Sequence, residues 1–521
     1  MFRRSVHQAI HLTCLAMAAF SMPVSVWLLS AVSITGAINW LLEGELRAKM
    51  RNFFNRPAMI LLISLFAMYL LWLLNTSDFR GAIHELKIKL PLFFFPLVIG
   101  SSLRLTSSQM RLVLLSFITG CITATGAGYL ALAGLWPVEV NDSRDLALFV
   151  QSIRLSILLN FGIFSAFRMS LDTNTGSKAL RIALATGAMA MALFLFRLLS
   201  VTGVIIFIVL LGGTGSYLML KRKHRIIGLL MAATAAAAGT AAVIIMTSAW
   251  AKLHNPENQE ANVIHQETLE GNHYTHYPEE NLVENGNLVW INVCEEELRR
   301  EWNRRSTLSY DTLDKAGNEL RVTLIRYISY LGNTKDSAAV SNLSQQDIVN
   351  IERGFANPLY AHPGTLVAKA YELAWEADRA LKGANPSGHS VTQRLEFYRT
   401  AFGIIRKNPW TGTGTGDVRK AYIEEYNANN TPLTEGYRMR SHNQYLAFAV
   451  TFGIPGLVVA ISLMLVPWII SPDRRHYLFV VFISIIFMSM FNDDVFSSFT
   501  GTTFFSYFYT LFLIVEDEND V

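Results

Sequence analysis

The chain of 521 residues is too apolar for an ordinary soluble protein. Its residues are 51% hydrophobic and only 16% charged, and the mean hydropathy is +0.30. This composition predicts a polytopic membrane protein. The net charge of +4 is small, and we expect no nucleic-acid partner. Two of the three cysteines lie in apolar segments and the third stands alone in a polar region, so no disulfide and no cysteine metal site is expected.

Twelve hydrophobic segments are candidates for transmembrane helices, although some are shorter than the roughly 20 residues that cross a bilayer. The first two result from dividing the apolar run 9–42 near Pro23. The others are 57–75, 86–103, 112–136, 147–167, 179–199, 201–219, 226–248, 443–469, 477–490 and 498–515. The predicted fold is therefore an all-α polytopic membrane protein with about 12 transmembrane helices.

The segments divide the chain into an N-terminal membrane region (1–247), a polar region (248–441) and a C-terminal membrane region (442–521). If every segment crosses, the Lys- and Arg-rich loops share one side, which the positive-inside rule assigns to the cytoplasm. The polar region then lies on the other side. In a bacterial inner membrane that side is the periplasm.

The polar region is predicted to be mainly helical. Apolar residues recur at helical spacing over 320–331, 366–381 and 392–407, and Ser344 with Asp347 forms a capping-box pattern that opens a helix ending near Glu352. In contrast, 255–287 is polar and rich in His and Glu, so we expect a loose excursion there.

His442 lies where the polar region meets the hydrophobic segment that starts at 443. Imidazole gains and loses a proton near neutral pH, so this position suits proton transfer at the membrane surface. A purely structural role is the alternative, and it is the commoner one for a single interfacial histidine.

Two arginines lie inside or at the edge of hydrophobic segments, Arg154 and Arg197. A charge at mid-helix costs about 2.5 to 3.5 kcal/mol, so each needs compensation. Either one alone could extend to the lipid headgroups. Because both share the predicted membrane side of His442, together they favour an anionic ligand, for which guanidinium offers bidentate phosphate contacts.

An amphipathic helix is predicted from Gln393 to Lys407, with Arg394 and Tyr398 one turn apart. The glycine-rich stretch 412–416 follows it. A nucleotide-binding loop is an alternative there, but no strand precedes it and no Lys-Ser or Lys-Thr follows it. We therefore interpret the stretch as a turn in which backbone passes close to a neighbour.

Two further polar groups are weaker candidates. His273 and His276 with Glu279 and Glu280 have plausible metal spacing, but they fall in the predicted excursion, and no metal is expected. Asp493 and the aspartate after it follow a hydrophobic segment, so a solvated loop is the simpler interpretation and an acid-base or outer-shell role the alternative.

The region from 392 to 460 resembles the O-antigen ligase and O-antigen polymerase superfamily. The resemblance rests on His442-Asn-Gln-Tyr-Leu, Gly453-Ile-Pro-Gly-Leu, Arg394 and Asn408-Pro-Trp-Thr-Gly-Thr-Gly, and on the position of one large polar region just before the histidine motif. Segments beginning at Leu324, Lys335 and Asp347 also resemble the ligase-like proteins of Bacteroidetes.

The resemblance implies a glycosyltransferase of the multi-span C type (GT-C-like) that needs neither metal nor nucleotide cofactor. Such an enzyme moves a glycan from undecaprenyl diphosphate to an acceptor hydroxyl, usually on the lipid A core, at the periplasmic face. His442 would be the general base and Arg394 a loop arginine on the diphosphate. The implied substrate-binding candidates are Arg154, Arg197, Asn443, Tyr398, Tyr445 and Asp493.

One position departs from the family pattern. The expected Ser-Arg-Thr-Gly is Ser200-Val-Thr-Gly here, so Arg197 or Arg154 would have to supply the span arginine. O-antigen polymerase and protein O-oligosaccharyltransferase remain alternatives within the class. A transporter of the same lipid-linked glycan is the alternative from another class, although matched halves and mid-bilayer polar groups, typical of transporters, are not evident.

Overall fold

The computed structural model describes residues 2–138, 140, 142–221, 224–254, 262–361 and 365–515. The helices of the first half are Phe2–Ser21 (α1), Val26–Leu42 (α2), Leu46–Phe54 (α3), Pro57–Leu71 (α4), Phe79–Ser101 (α5), Ser107–Leu132 (α6), Ser152–Leu171 (α7), Lys178–Arg197 (α8), Val201–Leu220 (α9) and Arg225–His254 (α10). Those of the second half are Glu295–Arg305 (α11), Leu320–Tyr330 (α12), Ser337–Ser341 (α13), Gln345–Glu352 (α14), Leu366–Leu381 (α15), Ser390–Lys407 (α16), Val418–Ala428 (α17), Gln444–Ile470 (α18), Tyr477–Ser489 (α19) and Phe499–Ile514 (α20). A two-stranded antiparallel hairpin, Val283–Glu284 (β1) and Asn287–Leu288 (β2), pairs Val283 with Leu288.

The protein is mainly helical, as expected of an all-α multi-pass membrane protein. Each of the twelve predicted hydrophobic segments overlaps an α-helix. By length and hydropathy, seven helices among the described residues can cross a membrane, or eight if the bent pair α2 and α3 is one span. Twelve crossings and a periplasmic domain therefore remain predictions.

The chain forms two compact units, residues 1–235 together with 393–521, and residues 236–392. The polar region is divided between them, since 393–441 pack with the hydrophobic helices of the first unit. The predicted site residues all belong to this first unit.

In the first unit, α20 is a central helix, because nearly all of its residues are buried. Phe508 packs edge-on against Phe161 of α7 with ring centroids 4.7 Å apart. Polar side chains of α20 donate to backbone carbonyls of its neighbours: Ser506 to Pro91 (2.7 Å), and Tyr507 to Leu15 (2.6 Å). Such bonds satisfy polar groups that water cannot reach.

In the second unit, the predicted helices are confirmed. They occur as α12 and α15, and α14 begins with the predicted capping box of Ser344 and Asp347. A buried ion pair of Arg326 and Glu284 (2.6 Å) joins α12 to the hairpin.

The prediction of a loose excursion over 255–287 is wrong for residues 262–287, which the structure describes. Residues 255–261 lie outside the described residues. Thr268 and Asn272 both donate to the buried carboxylate of Glu297. The stretch is polar because its side chains bond to buried polar groups of the same unit, so polarity alone did not indicate disorder.

Candidate active site

The loop between α19 and α20, residues 490–498, contains Asp493 and Asp494 and is called the aspartate loop below. It forms the floor of the candidate site. Asp493 is 5% exposed and Asp494 is 6% exposed, so the interpretation of this loop as solvated is wrong. Burial of two adjacent carboxylates requires compensating charge or hydrogen bonds nearby. The residues that provide them come from three other parts of the first unit.

His442 lies directly before the N-cap of α18. Its backbone is left-handed (φ 48°), a conformation uncommon for residues other than glycine. The following residue, Asn443, accepts a hydrogen bond from the backbone of Leu446 (3.0 Å) and donates to the carbonyl of Phe491 (2.9 Å). Asn443 thereby joins the start of α18 to the aspartate loop, which orients the histidine towards that loop.

The imidazole of His442 contacts the second aspartate. Its Nδ1 lies 3.6 Å from Oδ1 of Asp494, and the His442 side chain remains 38% exposed. Burial raises the pKa of Asp494, but His442, Ser497 and Arg440 outweigh it and hold that pKa below its usual value. Asp494 is therefore an anion that faces the ring, while the ring keeps access to solvent or substrate.

Asp493 lies among positively charged groups. Burial and the negative charge of Asp494 raise the pKa of Asp493 to about 6, although Arg154, His442 and Arg394 act in the opposite direction. Its Oδ2 is buried and has no hydrogen-bond partner among the described residues. A buried carboxylate oxygen without a partner is typical of a group that is completed by a ligand or by water.

Arg154, near the start of α7, reaches the same loop. It donates to Ser497 (3.2 Å) and to Gln151, while its buried Nε has no partner among the described residues. The guanidinium is thus held by hydrogen bonds from its two terminal nitrogens, while its buried Nε–H remains available to a ligand.

The start of α16 contacts the residues just before the aspartates. Arg394 donates to the side-chain oxygen of Asn492, whose amide in turn donates to Thr202 at the start of α9. Tyr398, one turn later, donates to the carbonyl of Phe491 (3.4 Å). The predicted spacing of Arg394 and Tyr398 therefore places both on the aspartate loop.

The two remaining predicted site residues, Tyr445 and Arg197, differ in their distance from the aspartate loop. Tyr445 donates to the carbonyl of Phe487 at the end of α19 (2.9 Å), and its ring packs against Phe491 at 4.8 Å. Arg197 is exposed at the end of α8, and among the described residues no hydrogen bond or ion pair joins it to His442 or the aspartates. Of the two span arginines, the structure thus brings Arg154 to the loop that carries Asp493 and Asp494.

The glycine-rich turn positions α16 and α18. Gly414 has φ 90°, and a Cβ there would lie 2.1 Å from the carbonyl oxygen of Asn75 after α4. Asp417 accepts from the hydroxyl of Ser77 (2.7 Å) and from the backbone of Asp78 (3.0 Å). The prediction of a turn with close backbone contact is confirmed, and its neighbours are the end of α4 and the start of α5.

A cluster of charges surrounds the buried carboxylate of Glu85 and includes Arg440, two residues before His442. Arg440 pairs with Glu85 of α5 (2.7 Å), and the same carboxylate pairs with Lys89 one turn later. These three residues and Asp494 line one cavity of about 30 Å³, room for one or two waters. Arg440 is thus placed to link the segment that carries His442 to both α5 and Asp494.

The ligand types present also permit a metal ion. His442, Asp493 and Asp494 present ligand atoms within 4.8 Å of one another, and they form the one such cluster among the described residues. His273, His276 and the glutamates after them do not form one in that part of the chain. Arginines beside both aspartates already supply positive charge, which disfavours an added cation.

Sequence reasoning missed several residues of this site. Asn492, Thr202, Glu85 and Lys89 were not selected, because no motif or spacing in the sequence connects them to His442. The charged pair at i and i+4 in α5 was the one available signal, since charges inside an apolar segment are costly and mark partners.

Part of the chain is similar to a known protein family. No curated protein matches the chain. Residues 359–461, about one fifth of the chain and including Arg394, the glycine-rich turn and His442, match the family described as O-Antigen ligase.

Proposed function

We propose that this protein is a glycosyltransferase of the O-antigen ligase type, which moves a glycan from undecaprenyl diphosphate to a hydroxyl of an acceptor, the lipid A core. The observation that carries the proposal is the convergence of His442, Arg154 and Arg394 on one buried aspartate pair. A base and at least two guanidinium groups are what transfer from a diphosphate donor requires.

The donor already has an activated anomeric carbon, so the enzyme has two tasks. The acceptor oxygen attacks that carbon, and the bond from carbon to the phosphate oxygen breaks, with its electron pair leaving on the diphosphate. Arg394 and Arg154 bind this leaving group, whose negative charge grows as the bond breaks. The span arginine of the family pattern is then Arg154, which reaches the site from the start of α7.

His442 accepts the proton of the acceptor hydroxyl. Because Nδ1 faces Asp494, the ring carries a hydrogen on Nδ1 and offers Nε2 as the base. Asp494, an anion, stabilises the imidazolium that results. Asn443, Tyr398 and Tyr445 hold the aspartate loop against α16 and α18. The protonation state of Asp493 sets the net charge beside Arg154 and Arg394.

Direct displacement inverts the anomeric configuration, and no covalent enzyme intermediate forms. The site lies at the starts of α7 and α9, and the Arg- and Lys-rich loops lie at the other ends of these helices. By the positive-inside rule, the active site then faces the periplasm of a bacterial inner membrane. The lipid-linked donor reaches it from the outer leaflet.

The test is transfer by the purified protein from a defined undecaprenyl-diphosphate glycan to purified lipid A core, without any ion gradient. We expect transfer by wild type, and loss in His442→Ala and Arg394→Ala. The matched controls are His273→Ala, at an exposed position, and Arg399→Ala, on the same helix as Arg394. A product that retains the donor configuration would contradict direct displacement.

Two outcomes of that assay separate the alternatives. Transfer to a second lipid-linked repeat, but not to lipid A core, would identify a polymerase, and transfer only to a protein would identify an oligosaccharyltransferase. No transfer at all, with gradient-dependent movement of the lipid-linked glycan in vesicles, would identify a transporter.

A further inference from the structure

The turn at the start of α9, residues 200–203, has valine where the family pattern has arginine. Val201 is 41% exposed, whereas the two hydroxyl residues beside it, Ser200 and Thr202, are 7% and 6% exposed. Ser200 is the N-cap of α9 and accepts a hydrogen bond from the backbone of Gly203 (3.3 Å). The buried side of the turn is therefore polar, and buried hydroxyl groups require hydrogen-bond partners.

One side of the turn is joined to α7. The hydroxyls of Ser200 and Ser156 lie 2.9 Å apart, and the side-chain amide of Asn160 donates to the carbonyl of Gly203 (3.0 Å). A Cβ at Gly203 would lie 2.5 Å from the Cβ of Ser156, so glycine allows the turn to approach α7 this closely. Ser156 follows Arg154 by two positions. The turn is thus fixed to the segment of α7 that carries Arg154.

The other side of the turn is joined to α16 through the aspartate loop. The hydroxyl of Thr202 accepts from the side-chain amide of Asn492, whose oxygen accepts from Arg394. Because an amide is neutral, Asn492 orients the guanidinium without adding a negative charge beside it, as a carboxylate would. The direction of the Arg394 side chain is therefore set from the start of α9.

Arg154 and Arg394 reach the same loop from two helices. Arg154 donates to Ser497 of the aspartate loop (3.2 Å), as Arg394 does to Asn492. The charge of Asp493 interacts with both guanidinium groups, so both lie near this carboxylate. Two guanidinium groups can each bind one phosphate of a diphosphate, whereas a monophosphate offers one phosphate to the pair. This difference in binding requires that the separation of the two arginines is fixed.

We propose that the turn 200–203 sets the separation of Arg154 and Arg394, and that this fixed pair selects a lipid diphosphate over the corresponding lipid monophosphate. Thr202 is the positioning residue for Arg394. A series of buried hydrogen bonds through the turn connects the two segments that carry the arginines. The inference rests on the proposed function for the class of ligand alone.

The experiment is native mass spectrometry of the full chain purified in detergent, with undecaprenyl diphosphate and undecaprenyl phosphate added separately. We expect wild type to bind the diphosphate at least about tenfold more tightly, the effect of one further charge-assisted hydrogen bond. Thr202→Val removes the hydroxyl that orients Asn492 and should reduce this preference to about twofold or less, whereas Thr202→Ser keeps the hydroxyl and the preference. Thr186→Val is the matched control, because the hydroxyl of Thr186 is exposed on α8 and donates to the carbonyl of Ile182.

The ratio of the two affinities separates positioning from stability. A Thr202→Val protein that is only less stable would bind both lipids less well in proportion, and an unchanged preference would overturn the proposal. A loss of preference in Thr202→Ser as large as that in Thr202→Val would also contradict it. If Thr202→Val does not fold, Ser156→Ala, which breaks the link to α7, should reduce the preference instead, and an unchanged ratio there refutes the role of the turn.

Transfer activity, measured in parallel, distinguishes this inference from the proposed function. Wild type that transfers glycan and prefers the diphosphate, with no effect of Thr202→Val on the preference, would overturn the inference alone. Wild type that neither transfers glycan nor binds the diphosphate would overturn the proposed function and the inference together.

Discussion

The imidazole of His442 and the carboxylate of Asp494 face each other with Nδ1 and Oδ1 3.6 Å apart, although the two residues lie 52 positions apart in the chain. This distance is longer than a hydrogen bond, and the contact is an ion pair only when the imidazole carries a proton on both nitrogens. In the proposed mechanism, this contact leaves Nε2 as the ring nitrogen that is available to an acceptor hydroxyl. The pairing also explains how a buried aspartate next to a second aspartate stays charged.

Replacement of Asp494 by Asn should impair the base without removing it. General-base catalysis contributes about 10²- to 10⁴-fold, so His442→Ala should lose about that much in kcat, and Asp494→Asn a part of it. The KM for the lipid-linked donor should stay nearly unchanged, because the arginines remain. Steady-state transfer kinetics measure both values, with Asp311→Asn, an exposed aspartate of the second unit, as control. An Asp494→Asn protein with wild-type kcat would refute the role given to Asp494.

Replacement of Asp493 by Asn should change stability in a pH-dependent way. A folded-state pKa near 6, above the unfolded value near 3.9, means that the folded protein holds a proton that it loses as pH rises through 6. The charged carboxylate therefore costs stability above pH 6, on the order of 3 kcal/mol at 1.36 kcal/mol per pKa unit. The variant should gain thermal stability relative to wild type as pH rises from 4.5 to 7.5. Melting curves in detergent test this, and a gain towards acid pH would reverse the assigned sign.

Replacement of Arg394 by Ala should weaken diphosphate binding about 10- to 100-fold, since hydrogen bonds between charged groups contribute about 1.5 to 3 kcal/mol. Arg394→Lys should restore only part of this, because an ammonium cannot make the bidentate contact. Donor KM and kcat/KM report the effect, and Arg399→Ala should match wild type. Equal activity of Arg394→Ala and Arg399→Ala would remove Arg394 from the site.

Substitution of Glu85 and substitution of Arg440, in the cluster that they form with Lys89, should have different effects on stability and on kcat. Glu85→Gln removes the ion-pair partner of the buried Lys89 and should cost about 3 to 5 kcal/mol, whereas Arg440 is one-third exposed and retains Asp494 as an anion nearby. Arg440→Met keeps Glu85 paired with Lys89, so its loss of stability should be smaller, while the support of Asp494 and hence kcat decreases. Glu85→Gln should therefore have the lower protein yield and thermal midpoint, and Arg440→Met the lower kcat. If kcat falls only in proportion to stability in both variants, Arg440 acts through stability alone.

Replacement of Gly414 by Ala should destabilise the first unit by about 1 to 3 kcal/mol, because the residue has positive φ and the added Cβ collides with the Asn75 carbonyl. Gly436→Ala is the matched control, since its φ is not in the left-handed range and no atom lies within 4 Å of the added Cβ. Thermal midpoints in detergent compare the two. Equal midpoints would show that the turn accommodates a side chain.

Local sequence predicted the helices well. Hydrophobicity over 15 to 25 residues is a local property, so the segments that became α4 to α10 and α18 to α20 could be located from sequence alone. The amphipathic α16 and the capping box of α14 are likewise set by neighbours three or four residues apart. The prediction of a loose excursion failed over 262–287, because the partner of Thr268 and Asn272 is Glu297, outside the window of any local pattern.

By itself, then, the sequence determined the helical membrane architecture, the position of His442 at the edge of a hydrophobic segment, and Arg394 on its helix. Only the tertiary structure decided that Asp493 and Asp494 are buried and that Asn492 bridges Arg394 to Thr202, which lie 98 and 290 positions away in the chain. It also decided that Arg154, not Arg197, reaches the loop of the two aspartates. The reason is physical: whether a charged side chain is solvated or buried depends on the partners that surround it. Those partners come together only when distant helices pack.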